Sequence, residues 1–214
     1  MQHSLDADHL AAVSTIVSKN RSLKKSALVG AVWRLGHTSV LLLVGLVVMI
    51  LKLSIPEELS RGLEFLVGIM LLYLGLALLK NVVVDELHTH KHRHGVVEHI
   101  HLHSHKACSD HQHLHRPFLI SVVHGLAGSA GILLLIMASM PSMAQGLFFT
   151  LTFGISSVLG MVVCGPIISL PFRFTQRFSR LNNYLIILTA ILTITIGLQV
   201  LQENWSVFYG SING

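Results

Sequence analysis

SALVGAVWRLGHTSVLLLVGLVVMIL, residues 26–51, decides the fold class. The stretch carries one formal charge, Arg34. Wound as a helix it is roughly 39 Å long, at about 1.5 Å per residue, which exceeds the roughly 30 Å hydrocarbon core of a bilayer. Residues 65–79, 117–171 and 184–201 contain no Asp, Glu, Lys or Arg at all. The whole chain is 52% hydrophobic and 12% charged, against about 25% charged in an ordinary soluble domain. Period-2 alternation, the mark of a membrane barrel, is absent. The chain therefore reads as an all-α polytopic membrane protein.

Six helical segments are predicted, at about 3–18, 26–51, 62–84, 117–140, 144–171 and 181–202. Pro56, the "PS" at 141–142 and the "LP" at 170–171 punctuate the connections. The opening has no basic n-region, and "DADH" interrupts any apolar run, so no cleavable leader is expected. Cys108 and Cys164 fall in different surroundings and form no CxxC pair, which gives a disulfide framework little support. The net charge of +5 is no nucleic-acid footprint, because the positive charges sort by loop. The 19–25 loop holds four, the Lys80–Arg116 stretch five, and the last loop Arg173, Arg177 and Arg180. The other two loops hold only Lys52 and Arg61. Basic loops face the cytoplasm, so both termini are expected outside.

Sequence markers recur in order. "LGHTSVLLLVG" from Leu35 resembles "FGISSVLGMVV" from Phe153, "LGLALL" from Leu74 resembles "IGLQVL" from Ile196, and "HSLDADHLAAV" from His3 aligns with "HGLAGSAGILL" from His124. The expected plan is a 3+3 inverted repeat: a first three-helix unit at 1–84, a connector at 85–116 and a second unit at 117–214. Two residues precede His3, so the first helix is expected to lack its outer turns.

Ionisable residues in a membrane helix are costly and mark function. His3, Asp6 and His9 share a face of the first segment, with Asp8 another 100° round. Imidazoles and carboxylates together suit borderline divalent ions such as Ni²⁺, Co²⁺ or Zn²⁺. An N-terminal cap would explain one acid but not two histidines leading into an apolar run. His37, beside Gly36, is a further candidate ligand. Arg34 either pairs with Asp8 or snorkels to the surface. His124 heads the matching motif of the second unit. Gly165-Pro166 is expected to interrupt the fifth segment and to line the path. The connector holds eleven histidines: His88, His90, His92, His94, His99, His101, His103, His105, His111, His113 and His115. Such a tract suits a cytoplasmic buffer of weakly held divalent metal.

These residues resemble the nickel/cobalt transporter (NiCoT) family, most closely its UreH-like branch. "HSLDADH" matches the H-x4-D-H signature at His3, Asp8 and His9. "LGHTS" at 35–39, "HGLAGSAG" at 124–131, "FGISSVLGM" at 153–161 and the histidine-rich loop are also similar. Arg34 stands where a small neutral residue is expected. The resemblance implies a permease for Ni²⁺, with Co²⁺ next, in the inner (cytoplasmic) membrane. Its selectivity site would lie at the first-signature histidines and acids. The ion would be substrate and no catalytic cofactor is expected. The expected partners are the ion, the lipid bilayer and cytoplasmic nickel chaperones. Two rivals stand beside this reading: an intramembrane metal-dependent hydrolase and a nickel-binding accessory protein that does not transport.

Overall fold

The computed structural model describes residues 6–18, 20, 22–51, 56–87, 90–94, 97–101, 114–126, 140 and 142–213, with side chains described outside 83–101 and 206–213. Six helices are described: α1 (Ala7–Val17), α2 (Leu23–Leu51), α3 (Glu57–Leu87), α4 (His115–Gly125), α5 (Met143–Thr175) and α6 (Ser179–Asn213). The membrane part is all-helical. Four helices, α2, α3, α5 and α6, hold apolar windows long enough to cross a bilayer. Helix α1 has 11 residues, roughly 16 Å at about 1.5 Å per residue, too short to cross alone. Within the connector, His90–His94 and Val97–His101 form a two-stranded antiparallel ribbon in which His90 is opposite His101 and His92 opposite His99.

The long helices are apolar nearly all round, as lipid-exposed spans must be. Tyr73, Phe148, Ile155, Leu159 and Phe174 are exposed on the outside of the bundle. Several hydroxyls inside the spans are satisfied within their own helix. Thr150 donates to the Gly146 carbonyl at 2.9 Å, Thr189 to Leu185 at 2.9 Å and Thr193 to Thr189 at 2.8 Å. No water is needed for them, which is what a hydrocarbon setting requires.

Two long helix pairs frame the molecule. Helices α2 and α5 run antiparallel: Ser26 lies beside Gly165, Gly30 beside Met161 and Thr38 beside Gly154. Helices α3 and α6 also run antiparallel, and their contacts are reciprocal. A Cβ placed on Gly68 would lie 3.1 Å from the Gly197 carbonyl, and one on Gly75 would lie 3.0 Å from the Ala190 carbonyl. Helix α1 is wedged among the others, with Ala12, Val13 and Val17 fully buried. They pack with Val29, Trp33, Leu71 and Met161 in one core cluster. Helix α1 is thus the best buried of the described helices, and its small side chains let four neighbours close round it.

Two expectations about breaks are corrected. Helix α5 is continuous from Met143 to Thr175, with both Pro166 and Pro171 inside it. So Gly165-Pro166 does not interrupt the segment, and "LP" at 170–171 is no loop. A proline removes one N–H and crowds the preceding turn, which strains a helix without ending it when both flanks are held by packing. Here Gly165 lies against the Ser26 backbone of α2, and Ser169 Oγ donates to the Pro166 carbonyl at 2.8 Å. The "PS" reading does match an element boundary: Ser142 is the N-cap of α5 and accepts from Gln145 N–H at 3.3 Å.

Candidate metal centre

Helix α1 brings Asp8 and His9 into the bundle in its first turn. The Asp8 carboxylate is held at both oxygens. Oδ1 accepts from the His9 backbone N–H at 2.8 Å, and Oδ2 lies 2.8 Å from His124 Nε2, across 116 residues of chain. The tautomer this bond selects, with the proton on Nε2, leaves the His124 Nδ1 lone pair bare. That nitrogen has no hydrogen-bond partner among the described residues. A carboxylate that fixes one ring nitrogen while the other is presented is the arrangement that orients metal-binding histidines.

His9 is 1% exposed, His37 0% and His124 2%. The His9 ring centroid lies 4.1 Å from that of His124 and 5.0 Å from that of His37. The His37 and His124 centroids are 6.3 Å apart. Trp33 Nε1 donates a long bond, 3.5 Å, to His9 Nδ1. A contact of that length is weak enough for an ion to displace. Among the described residues, Asp8, His9 and His124 can each place one ligand atom within 4.8 Å of the others. Burying a polar group in an apolar medium costs several kcal/mol unless something satisfies it. Three buried imidazoles and the partly exposed Asp8 carboxylate thus meet at one place, a donor set that could hold a borderline divalent cation.

Close helix approach makes the gathering possible. A Cβ on Gly36 would lie 2.3 Å from Ser121 Oγ and 2.7 Å from the Phe118 carbonyl. One on Gly125 would lie 2.5 Å from Val40 Cγ1 and 3.0 Å from the His37 carbonyl. Only hydrogen fits at either position. Because both glycines sit next in sequence to a histidine, the α2–α4 approach brings His37 and His124 together.

Asp6 stands at the α1 N-cap, exposed, with extended backbone and no side-chain capping bond. It lies outside the three-residue group. Arg34 is fully buried, so it does not snorkel, and the carboxylates of Asp6 and Asp8 both act on its charge. His3, His88, His103, His105, His111 and His113 lie outside the described residues. His90, His92, His94, His99 and His101 are in the ribbon, and His115 begins α4. The sequence reading placed His124 on the path and not among the ligands. Its signal was present, as the residue aligned with His3 in the second unit. Trp33, Glu64 and Glu203 were missed altogether. The last two line a cavity with Asp8 and His124, and nothing in their local sequence reveals it.

The profile of the family described as "Cytochrome C biogenesis protein transmembrane region" matches residues 10–199. The chain is 35% identical over 203 residues to the urease accessory protein UreH of Bacillus sp. (strain TB-90), an alignment covering 95% of this chain and 87% of that protein. No solved structure matches the chain. The fold and these matches define a polytopic helical membrane protein of that transmembrane class. By its likeness to UreH the chain belongs to the nickel/cobalt transporter family, in its UreH-like branch.

Proposed function

We propose that the chain is a permease that carries Ni²⁺, with Co²⁺ next, through the cytoplasmic membrane. The observation that carries this reading is the convergence of Asp8, His9 and His124 from two helices at a buried point, with ligand atoms within 4.8 Å. In this reading Asp8 supplies charge compensation, and His9 and His124 supply nitrogen. His3 is a further ligand by its place in the first signature, and Asp6 and His37 complete or orient the site. Two imidazoles and one carboxylate suit Ni²⁺ and Co²⁺ better than hard ions such as Mg²⁺.

The two three-helix units work as an inverted repeat that exposes the centre first to one side and then to the other. The antiparallel pairing of α2 with α5 and the reciprocal α3–α6 contacts support that plan. With the basic loops in the cytoplasm, the histidine-rich connector at 85–116 buffers metal there and passes it to nickel chaperones. The relative's description as a urease accessory protein supports a second reading, a nickel-binding accessory protein that does not transport. Uptake of labelled Ni²⁺ by sealed vesicles holding the purified chain separates the two. Transport into the lumen supports the permease, and binding without uptake overturns it in favour of the accessory role.

A further inference from the structure

A cavity of about 180 Å³ adjoins the metal centre. Asp8 and His124 are shared between the two, and Glu64, Glu203 and Asn204 complete its polar lining, with Val67 and Val200 as apolar wall. Among the described residues, the lining has three carboxylates and no lysine or arginine. Asn204 is 6% exposed, and its Nδ2 donates to the Val200 carbonyl at 2.9 Å, which leaves the side-chain oxygen for a cation or its waters. Glu203 is held by a 2.9 Å bond from Gln199 Nε2. His124, 2% exposed, lines this cavity as well as the metal centre, so the cavity ends at a ligand of that centre.

The position of the cavity along the bundle is informative. Asp8 is in the first turn of α1, Glu64 is near the start of α3, and Glu203 lies toward the end of α6. All three belong to the end of the bundle away from the basic loops at 19–25 and 173–180. We infer that this cavity is an acidic antechamber, a second station where Glu64, Glu203 and Asn204 take up a hydrated divalent cation from the non-cytoplasmic side and deliver it to Asp8, His9 and His124. The inference rests on the permease reading and gives it a direction, uptake.

The chemistry of the two stations differs in a useful way. The cavity has room for an ion with several waters. Oxygen ligands hold divalent cations without much discrimination and exchange them readily, whereas nitrogen ligands select first-row transition ions. The outer station collects and the inner one selects. A cleft lined by one sign of charge raises local counter-ion concentration and on-rate by roughly 10- to 1,000-fold.

The test uses the full chain in sealed proteoliposomes, with Ni²⁺ as probe, and compares the parent with Glu64→Gln, Glu203→Gln and the double variant. Each single variant should raise the half-saturating Ni²⁺ concentration for uptake roughly tenfold, and the double variant more. The equilibrium ligand-field spectrum of bound Ni²⁺, which reports the nitrogen ligands, should persist. Glu64→Asp should restore uptake, which a merely structural loss would not allow. Millimolar Mg²⁺ should compete with uptake in the parent and lose that effect in the double variant. In a chain whose native cysteines are replaced by serine, Glu203→Cys should react with an impermeant thiol reagent added outside intact cells. Unchanged uptake in the double variant overturns the station, and labelling from the cytoplasmic side alone overturns its direction. A parent that neither binds nor carries Ni²⁺ overturns the permease reading itself, a different result.

Discussion

Asp8 carries the charge of the centre, and its removal is the sharpest residue-scale change. Asp8→Asn keeps the shape, loses the negative charge and weakens the hold on His124 Nε2. Even at an effective dielectric near 20, contact between opposite charges is worth a few kcal/mol, so Ni²⁺ affinity should fall roughly tenfold to a thousandfold. His9→Ala and His124→Ala should do comparable harm, each by deleting a nitrogen. Any two of these changes should combine less than additively, because one already dismantles the site. Glu58→Gln, exposed at the start of α3, should change little. Calorimetric titration of the purified protein with Ni²⁺ measures all of this. If His124→Ala binds like the parent, the ion does not sit where Asp8, His9 and His124 meet. The sequence reading already singled out Asp8, His9 and His37, because an ionisable group in an apolar run is visible locally. His124 carried a weaker mark, since its importance comes from a partner 116 residues away.

At the scale of elements, a glycine and a proline give opposite expectations. Gly36→Ala places a methyl where Ser121 Oγ and the Phe118 carbonyl already are. Such overpacking costs about 1–3 kcal/mol, and here it should also spread His37 and His124 apart. Thermal stability and Ni²⁺ affinity should fall together, and an unaltered affinity would show that the α2–α4 approach does not set the site. Pro166→Ala returns a missing helix N–H to a helix that is already continuous. Transport should survive it and the melting temperature should hold or rise. Loss of transport in a well-expressed protein would show that the proline serves the path after all. The connector is a third element. Replacing its eleven histidines with serine should remove the weak metal sites yet leave part of the transport, because a polar segment between the spans cannot form the membrane barrier. Complete loss of labelled-nickel uptake would place that segment on the path.

For the molecule as a whole, orientation is the quantity that gives the bundle a direction. Positive loops are retained in the cytoplasm, so a cysteine introduced between residues 52 and 61 should react with an impermeant thiol reagent in intact cells, and one between 19 and 25 should not. Reversed labelling would turn the acidic end of the bundle toward the cytoplasm and would remove the argument for uptake. The same bundle explains how a helix as short as α1 can carry Asp8 and His9 of the proposed centre. Helix α1 is shielded by its neighbours, with His9 at 1% exposure, and low dielectric around it strengthens every charge interaction with an ion.

The sequence by itself determined what depends on composition and local period: the apolar spans, the sorting of positive loops, the first signature at Asp8 and His9, and the break between segments at 141–142. Those properties follow from the cost of carrying charge and unpaired backbone into hydrocarbon, and that cost is paid residue by residue. Tertiary structure alone decided the rest. It placed His124 against Asp8, set the Trp33 indole on His9, buried Arg34, carried α5 through Pro166, and brought Glu64 and Glu203 to one cavity from positions 139 residues apart. The physical reason is that each of these depends on how closely helices distant in sequence can approach. Small side chains such as Gly36 and Gly125 set that distance, and their effect exists only once the helices have met.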